Sequence, residues 1–133
     1  MTHPTLLVVS PDHEDHAFVR RIVDEWEWPV LSAYGCDEAL DMAQRHEVAV
    51  VIAERHLGND CWKSMWNVLS RAARPPMLIV TSQDADNRLW AEVLNLGGWD
   101  VLAKPLNGLE VERSVTGASR RRQERLAVEQ VRG

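Results

Sequence analysis

A chain of 133 residues, 45% hydrophobic and 26% charged, has the size and composition of one packed globular domain. Its apolar runs are too short to cross a bilayer, and Met1–Pro4 lacks the basic and apolar regions of a secretory signal. The net charge of −5 is uneven: residues 1–105 hold nine Lys/Arg against sixteen Asp/Glu, a net of −7, and residues 106–133 hold six against four, a net of +2. The body therefore repels nucleic acid, and only the C-terminal stretch attracts it. Cys36 and Cys61 have no metal-ligand spacing and, in a cytosolic protein, read as reduced thiols rather than a disulfide.

Strands and helices alternate along the chain. Leu6–Val9 predicts a short buried strand, and Ser10-Pro11 a helix cap followed by proline at the first helical position. Phe18, Val19, Ile22, Val23 and Trp26 then recur at helical spacing on one apolar face. Val30–Ala33 predicts the second strand, and Asp37–Arg45 a short helix burying Ala39, Leu40 and Ala43. The third strand is expected at Val48–Ala53. A loop over Arg55–Asn59 leads to a helix over Asp60–Ala73, with Trp62, Met65, Trp66 and Leu69 as its core stripe. Pro75-Pro76 is expected to stop that helix before the strand Met77–Val80.

Ala85–Leu96 predicts the fourth helix, with Leu89, Val93 and Leu96 aligned and Gly97-Gly98 ending it. The fifth strand is Asp100–Ala103. Asn107, three residues before Glu110, is a candidate capping box for the last helix, which Gly117 weakens. Strands that are continuously apolar rather than alternating have both faces covered, as in parallel α/β folds. The expected fold is a doubly wound five-stranded parallel sheet of order 2-1-3-4-5 flanked by five helices.

In such a sheet the C-terminal strand ends share one edge, where sites are built. Glu54 ends the third apolar run, and Lys104-Pro105 closes the fifth, so an acid and a lysine meet there. This layout resembles the receiver domain of bacterial two-component response regulators, a flavodoxin-like fold, over about residues 5–118. Residues 119–133 then form a basic helical extension or tail. The resemblance places the family's acidic pair on Ser10 and Pro11 and its phospho-accepting aspartate on Glu54. It places the switch hydroxyl on Thr81, the strand-five aromatic on Val101 and the lysine on Lys104.

Three of those positions have lost their chemistry. Ser10 and Pro11 supply no carboxylates for Mg²⁺, which needs near-octahedral oxygen ligation, so Mg²⁺ binding is expected to be weak or absent. Asp12 is either a single ligand or a first-turn charge complementing the helix dipole, and the latter is favoured. Glu54 adds one methylene and pushes its carboxylate outward by up to ~1.5 Å. A direct Glu54–Lys104 pair then needs no phosphate, and the alternative is a solvated acid at a strand end. Thr81 donates to that carboxylate, caps the fourth helix together with Ser82, or does both. Val101 removes the rotating aromatic that the resemblance implies as the relay to the output face.

The reading is a stand-alone, atypical receiver in bacterial two-component or phosphorelay signalling, not an enzyme and located in the cytoplasm. It is not phosphorylated at the usual site and works through a signalling protein, a histidine kinase or a downstream output protein. Self-association through helix four, strand five and helix five, near Trp90 and Trp99, is one option; burial of those two rings against the helix is the other. Two competing readings are a phosphorylatable receiver using a non-standard acid, and a small α/β enzyme or ligand-binding domain at the same edge. Ser10–Glu14 contains no glycine, so a nucleotide cradle is not expected there. Asp12, His13 and His16 offer either a metal site or, as favoured, solvated residues at a polar helix start, and Arg120–Arg122 with Arg125 read as a solvated helix end or as a contact for an acidic partner or nucleic acid.

Overall fold

Mostly apolar segments of four to six residues build five parallel strands in the computed structural model, which describes residues 3–59 and 61–132. These are β1 (Leu6–Val9), β2 (Val30–Ala33), β3 (Val50–Glu54), β4 (Met77–Ser82) and β5 (Asp100–Ala103). All pair in parallel in the order β2-β1-β3-β4-β5. Five helices connect or follow them: α1 (His13–Val23), α2 (Cys36–Arg45), α3 (Trp62–Leu69), α4 (Asn87–Asn95) and α5 (Gly108–Arg132).

Side chains alternate between the two sheet faces, so each face has its own core. Leu7, Val9, Val51, Ala53, Leu78, Val80 and Val101 point to one face, against Ala39, Trp62, Met65, Trp66, Leu69, Leu89 and Val93 of α2, α3 and α4. Leu6, Val8, Val50, Ile52, Ile79 and Leu102 point to the other, against Val19, Val23, Val111, Val115 and Ala118 of α1 and α5. Each fully buried aliphatic side chain contributes roughly 1.5–3 kcal/mol. Two-sided burial is why β1, β3 and β4 are apolar up to their C-terminal ends, where Glu54, Thr81 and Ser82 stand.

Element ends depart from the sequence reading for local reasons. The helix after β1 starts two residues later than Ser10-Pro11 implies: Asp12 is the N-cap, and its Oδ1 accepts from the Glu14 amide at 2.9 Å. The helix ends at Val23, and Trp26 lies in a following 3₁₀ turn closed by Glu27 at φ 60°. The expected start of the third helix at Asp60 lies outside the described residues. Its end is earlier than Ala73: Ser70 is the C-cap, and Arg71 and Ala72 bond back to Val68 and Leu69 in tight turns. Neither Thr81 nor Ser82 caps α4. Both belong to β4, and Asp86 caps the helix through the Leu89 amide.

Gly97 leaves α4 at φ +85°, and Gly98 bonds to the Val93 carbonyl at 2.8 Å, with a side chain at Gly98 colliding with Val93 itself. Asn107 caps α5 through the Leu109 and Glu110 amides. Gly117 does not break α5. A Cβ there would lie 3.2 Å from the Trp99 ring, so the glycine makes room for the indole against the helix.

Cys36 and Cys61 are joined in a disulfide, contrary to the expectation of free thiols. The pairing joins the first residue of α2 to the residue preceding α3, across 25 positions in sequence. Spacing alone carried no sign of it, because the two helix starts converge only in the fold.

Candidate functional site

Strand register assembles the site. Glu54 is the direct neighbour of Thr81, and Ser82 of Ala103, which places Ser10, Glu54, Thr81 and Lys104 at one edge of the sheet. Glu54 is 6% exposed, as the last residue of a strand buried along its whole length. Lys104 follows β5 directly, and its amide donates to the Ser82 carbonyl at 2.9 Å, directing the side chain from a fixed backbone.

Lys104 Nζ lies 2.6 Å from Glu54 Oε2 and 2.5 Å from Asp15 Oδ2. Thr81 Oγ1 donates to Glu54 Oε2 at 3.1 Å, and the His56 amide donates to Glu54 Oε1 at 3.3 Å. On the far side Ser10 Oγ donates to Asp15 Oδ2 at 2.7 Å and accepts from the Asp12 amide at 3.1 Å. One ammonium therefore holds two carboxylates, and a hydroxyl supports each of them. Burial is the largest influence on the Lys104 ammonium and pulls its pKa down. The hydrogen bonds to Asp15 and Glu54, and the attraction of both carboxylates, outweigh it and hold the group above its ordinary 10.5.

Asp15 is the member of this network that the sequence reading did not single out. The signal was present: stepping back from Val19 by a helical turn reaches Asp15 and His16, on the stripe that faces the body. His16 is accordingly buried at 3% exposure, not solvated as expected of the histidine pair. Its Nε2–H donates to the Ser10 carbonyl at 2.9 Å, and Tyr34 packs on its ring at 4.4 Å. That donation fixes the ring proton on Nε2, because a carbonyl only accepts. His16 thus pins the segment between β1 and α1 from below while Asp15 reaches Lys104.

Ser10 is buried, whereas Pro11 and Asp12 are exposed at the mouth of a cavity of about 230 Å³ shared with Glu54, His56, Gln83 and Lys104. Val101 lies away from that edge, buried in the core facing α4. Beside it opens a larger cavity of about 590 Å³ between α4, β5 and α5, lined by Trp90, Trp99 and Ser114 among others. Trp90 and Trp99 are partly buried against the two cores, so their rings pack inward while bordering this cavity.

Arg122 does not belong to a solvated helix end. It is 7% exposed; its Nε donates to the Pro75 carbonyl and its Nη2 to the Arg74 carbonyl, both at 3.0 Å. Glu47 lies 3.8 Å from it and also pairs with Arg74. The guanidinium is an anchor at the opposite end of the sheet.

No family model matches the sequence, and no curated protein matches it. Solved structures do. The signal receiver domain of an HD domain-containing protein from Pseudomonas fluorescens superposes with a TM-score of 0.85 at 19% identity, over 96% of this chain and 94% of that one. The signal receiver domain of a LuxO-type repressor protein from Vibrio parahaemolyticus gives a TM-score of 0.87 at 17% identity, over 96% and 98%. A response regulator from Burkholderia pseudomallei, solved with a phosphorylated aspartic acid, a calcium ion and citrate, gives 0.76 at 22% identity, over 95% and 74%. At these identities the likeness speaks for the fold. The chain has the five-stranded, doubly wound fold of response-regulator receiver domains.

Proposed function

We propose that this chain is an atypical receiver in bacterial two-component signalling that works without phosphorylation at the usual position. One observation carries the reading: Lys104 already lies between Glu54 and Asp15, and Thr81 already donates to Glu54. In a receiver that edge takes a phosphoryl group, with the lysine and the hydroxyl as its partners. Here the longer Glu54 side chain supplies an anion to both. The Burkholderia pseudomallei neighbour carries its phosphoryl group on an aspartate, one methylene shorter.

A divalent cation fits these residues poorly. Asp15 Oδ2 and Glu54 Oε2 are both taken by the Lys104 ammonium, and Asp12 Oδ1 by the Glu14 amide. A cation entering between them meets a fixed positive charge at contact distance, and Ser10 and Pro11 bring no further carboxylate. The mechanism we derive is therefore one of holding. The ion triad ties β3 to β5 and α1 and keeps the edge in one arrangement, so that signalling rests on binding a partner protein rather than on a transferred group. The partner is a kinase or an output protein, or a second copy, met on the face of α4, β5 and α5; the protein is cytoplasmic and not an enzyme. Trp90 and Trp99 beside the Val101 cavity support that placement.

The test is intact mass after incubation with Mg²⁺ and a small phosphoryl donor, with the Burkholderia pseudomallei regulator as positive control. The mass of this chain should be unchanged. A phosphoryl adduct mapped to Glu54, Asp12 or Asp15 overturns the reading.

A further inference from the structure

We propose that the Cys36–Cys61 bridge is a thiol–disulfide exchange site for cellular dithiols, and that its state sets how tightly the segment leaving Glu54 is held. Glu54 is followed by residues 55–59, where Gly58 and Asn59 both take positive φ, at 71° and 54°. Arg55 is fixed at the near end by a hydrogen bond from its amide N–H to the Thr81 carbonyl at 2.9 Å. The far end reaches Cys61, and there the disulfide to α2 is the covalent tie. The segment is thus held at one end by the strand edge of the candidate site, in its middle by Leu57 packed against the core, and at the other end by the Cys61 amide bonding to the Gly58 carbonyl and by the two sulfurs.

Both redox states find partners in the fold. Cys36 is the first residue of α2, and the N-cap before it is Gly35, which brings no side-chain acceptor to the first-turn amides. A Cys36 thiolate therefore leaves into a helix N-terminus whose donors no cap has taken. Cys61 Sγ lies 3.4 Å from the Leu57 carbonyl, so a Cys61 thiol has an acceptor in place. Cys61 is partly buried, more exposed as a residue than Cys36 at 9%, so attack is assigned to the Cys61 side of the bridge.

The exchange balances. A thiolate of the dithiol attacks Cys61 Sγ, the S–S bond breaks, and Cys36 departs with the electron pair and takes up a proton. The second thiolate of the reductant attacks the mixed disulfide and releases Cys61, which takes up the second proton. The dithiol is oxidised to its disulfide by two electrons, and the reverse reaction with an oxidised dithiol restores the bridge. The step draws on the cytoplasmic reading above in one respect: disulfides of cytosolic proteins are mostly transient or redox-sensing, which makes the bridge one state of a pair.

The experiment compares the full chain before and after dithiothreitol, by alkylation with mass measurement and by peptide-resolved amide exchange. Oxidised protein should resist alkylation. Reduced protein should take two alkyl groups and exchange on the order of tenfold faster at residues 55–59, with β1 and β4 unchanged. The double variant Cys36→Ser, Cys61→Ser should show the fast exchange with or without dithiol. Two free thiols after oxidation with an oxidised dithiol, a bridge that excess dithiol leaves intact, or equal exchange at 55–59 in both states overturns the proposal. Because the wild type is read in both states, a variant that fails to fold does not blunt the test. Phosphoryl labelling reports separately on Glu54, so failure of one reading is told apart from failure of the other.

Discussion

Lys104 balances two carboxylates with one charge, and that imbalance makes it the most consequential single side chain at the edge. Its side chain is 13% exposed, and those of Asp15 and Glu54 are 14% and 8%. Removing the ammonium leaves two poorly hydrated carboxylates facing each other across the gap it filled. Lys104→Met should therefore destabilise the fold by about 3 kcal/mol at neutral pH, the usual scale when one partner of a buried ion pair is deleted. Urea unfolding of wild type and variant at neutral pH checks the size of the loss. A second expectation follows from the direction of the lysine shift. The folded state holds the ammonium above its ordinary 10.5, so its contribution is complete below that value and fades as the pH climbs through the folded pKa. Wild type should show a stability step above about 10.5 in alkaline unfolding that Lys104→Met lacks.

Helix α5 shows where sequence reading stops at the level of elements. Val111, Val115 and Ala118 form a legible stripe, but the next inward position is Arg122, which looks like part of a basic run in the sequence. Only the fold shows that the Arg74 and Pro75 carbonyls stand there as acceptors. Burial is the largest influence on this guanidinium and lowers its pKa; Glu47 opposes that and Arg74 adds to it. Arg122→Met keeps much of the packing and loses the two hydrogen bonds, so it should cost about 2 kcal/mol and speed amide exchange over residues 119–132. Unchanged exchange there would mean that the stripe alone holds the helix. The strands were readable because burial on both faces leaves an uninterrupted apolar run, and their order follows from parallel pairing with helical crossovers. The meeting of Glu54 with Lys104 followed from strand ends sharing an edge. Asp15, the disulfide and the Arg122 anchor depend on distances between elements. A one-dimensional pattern records which face a residue takes, and not what faces it.

For the whole molecule, charge decides which large partners are accessible. The body carries −7 over residues 1–105, and the +2 of residues 106–133 is concentrated around Arg120–Arg122 and Arg125. The fold reduces even that. Arg122 is occupied with backbone carbonyls and Glu47, and Arg121 pairs with Glu124 at 3.5 Å one helical turn away. Arg120 and Arg125 are then the exposed cations of the run with no acidic partner within pairing distance among the described residues, and Arg125 also touches the Met77 sulfur. Two phosphate contacts give a salt dependence of slope about −2, far shallower than that of dedicated DNA-binding proteins. At physiological salt the screening length is about 8 Å, so the acidic body still opposes a duplex lying along the helix. A gel shift should accordingly show no retention at physiological salt, and at low salt only weak retention indifferent to sequence. Tight, sequence-selective retention would instead require the helix to present Arg122, which means unseating it from Arg74 and Pro75, and α5 would then be the switching element of a DNA-binding regulator.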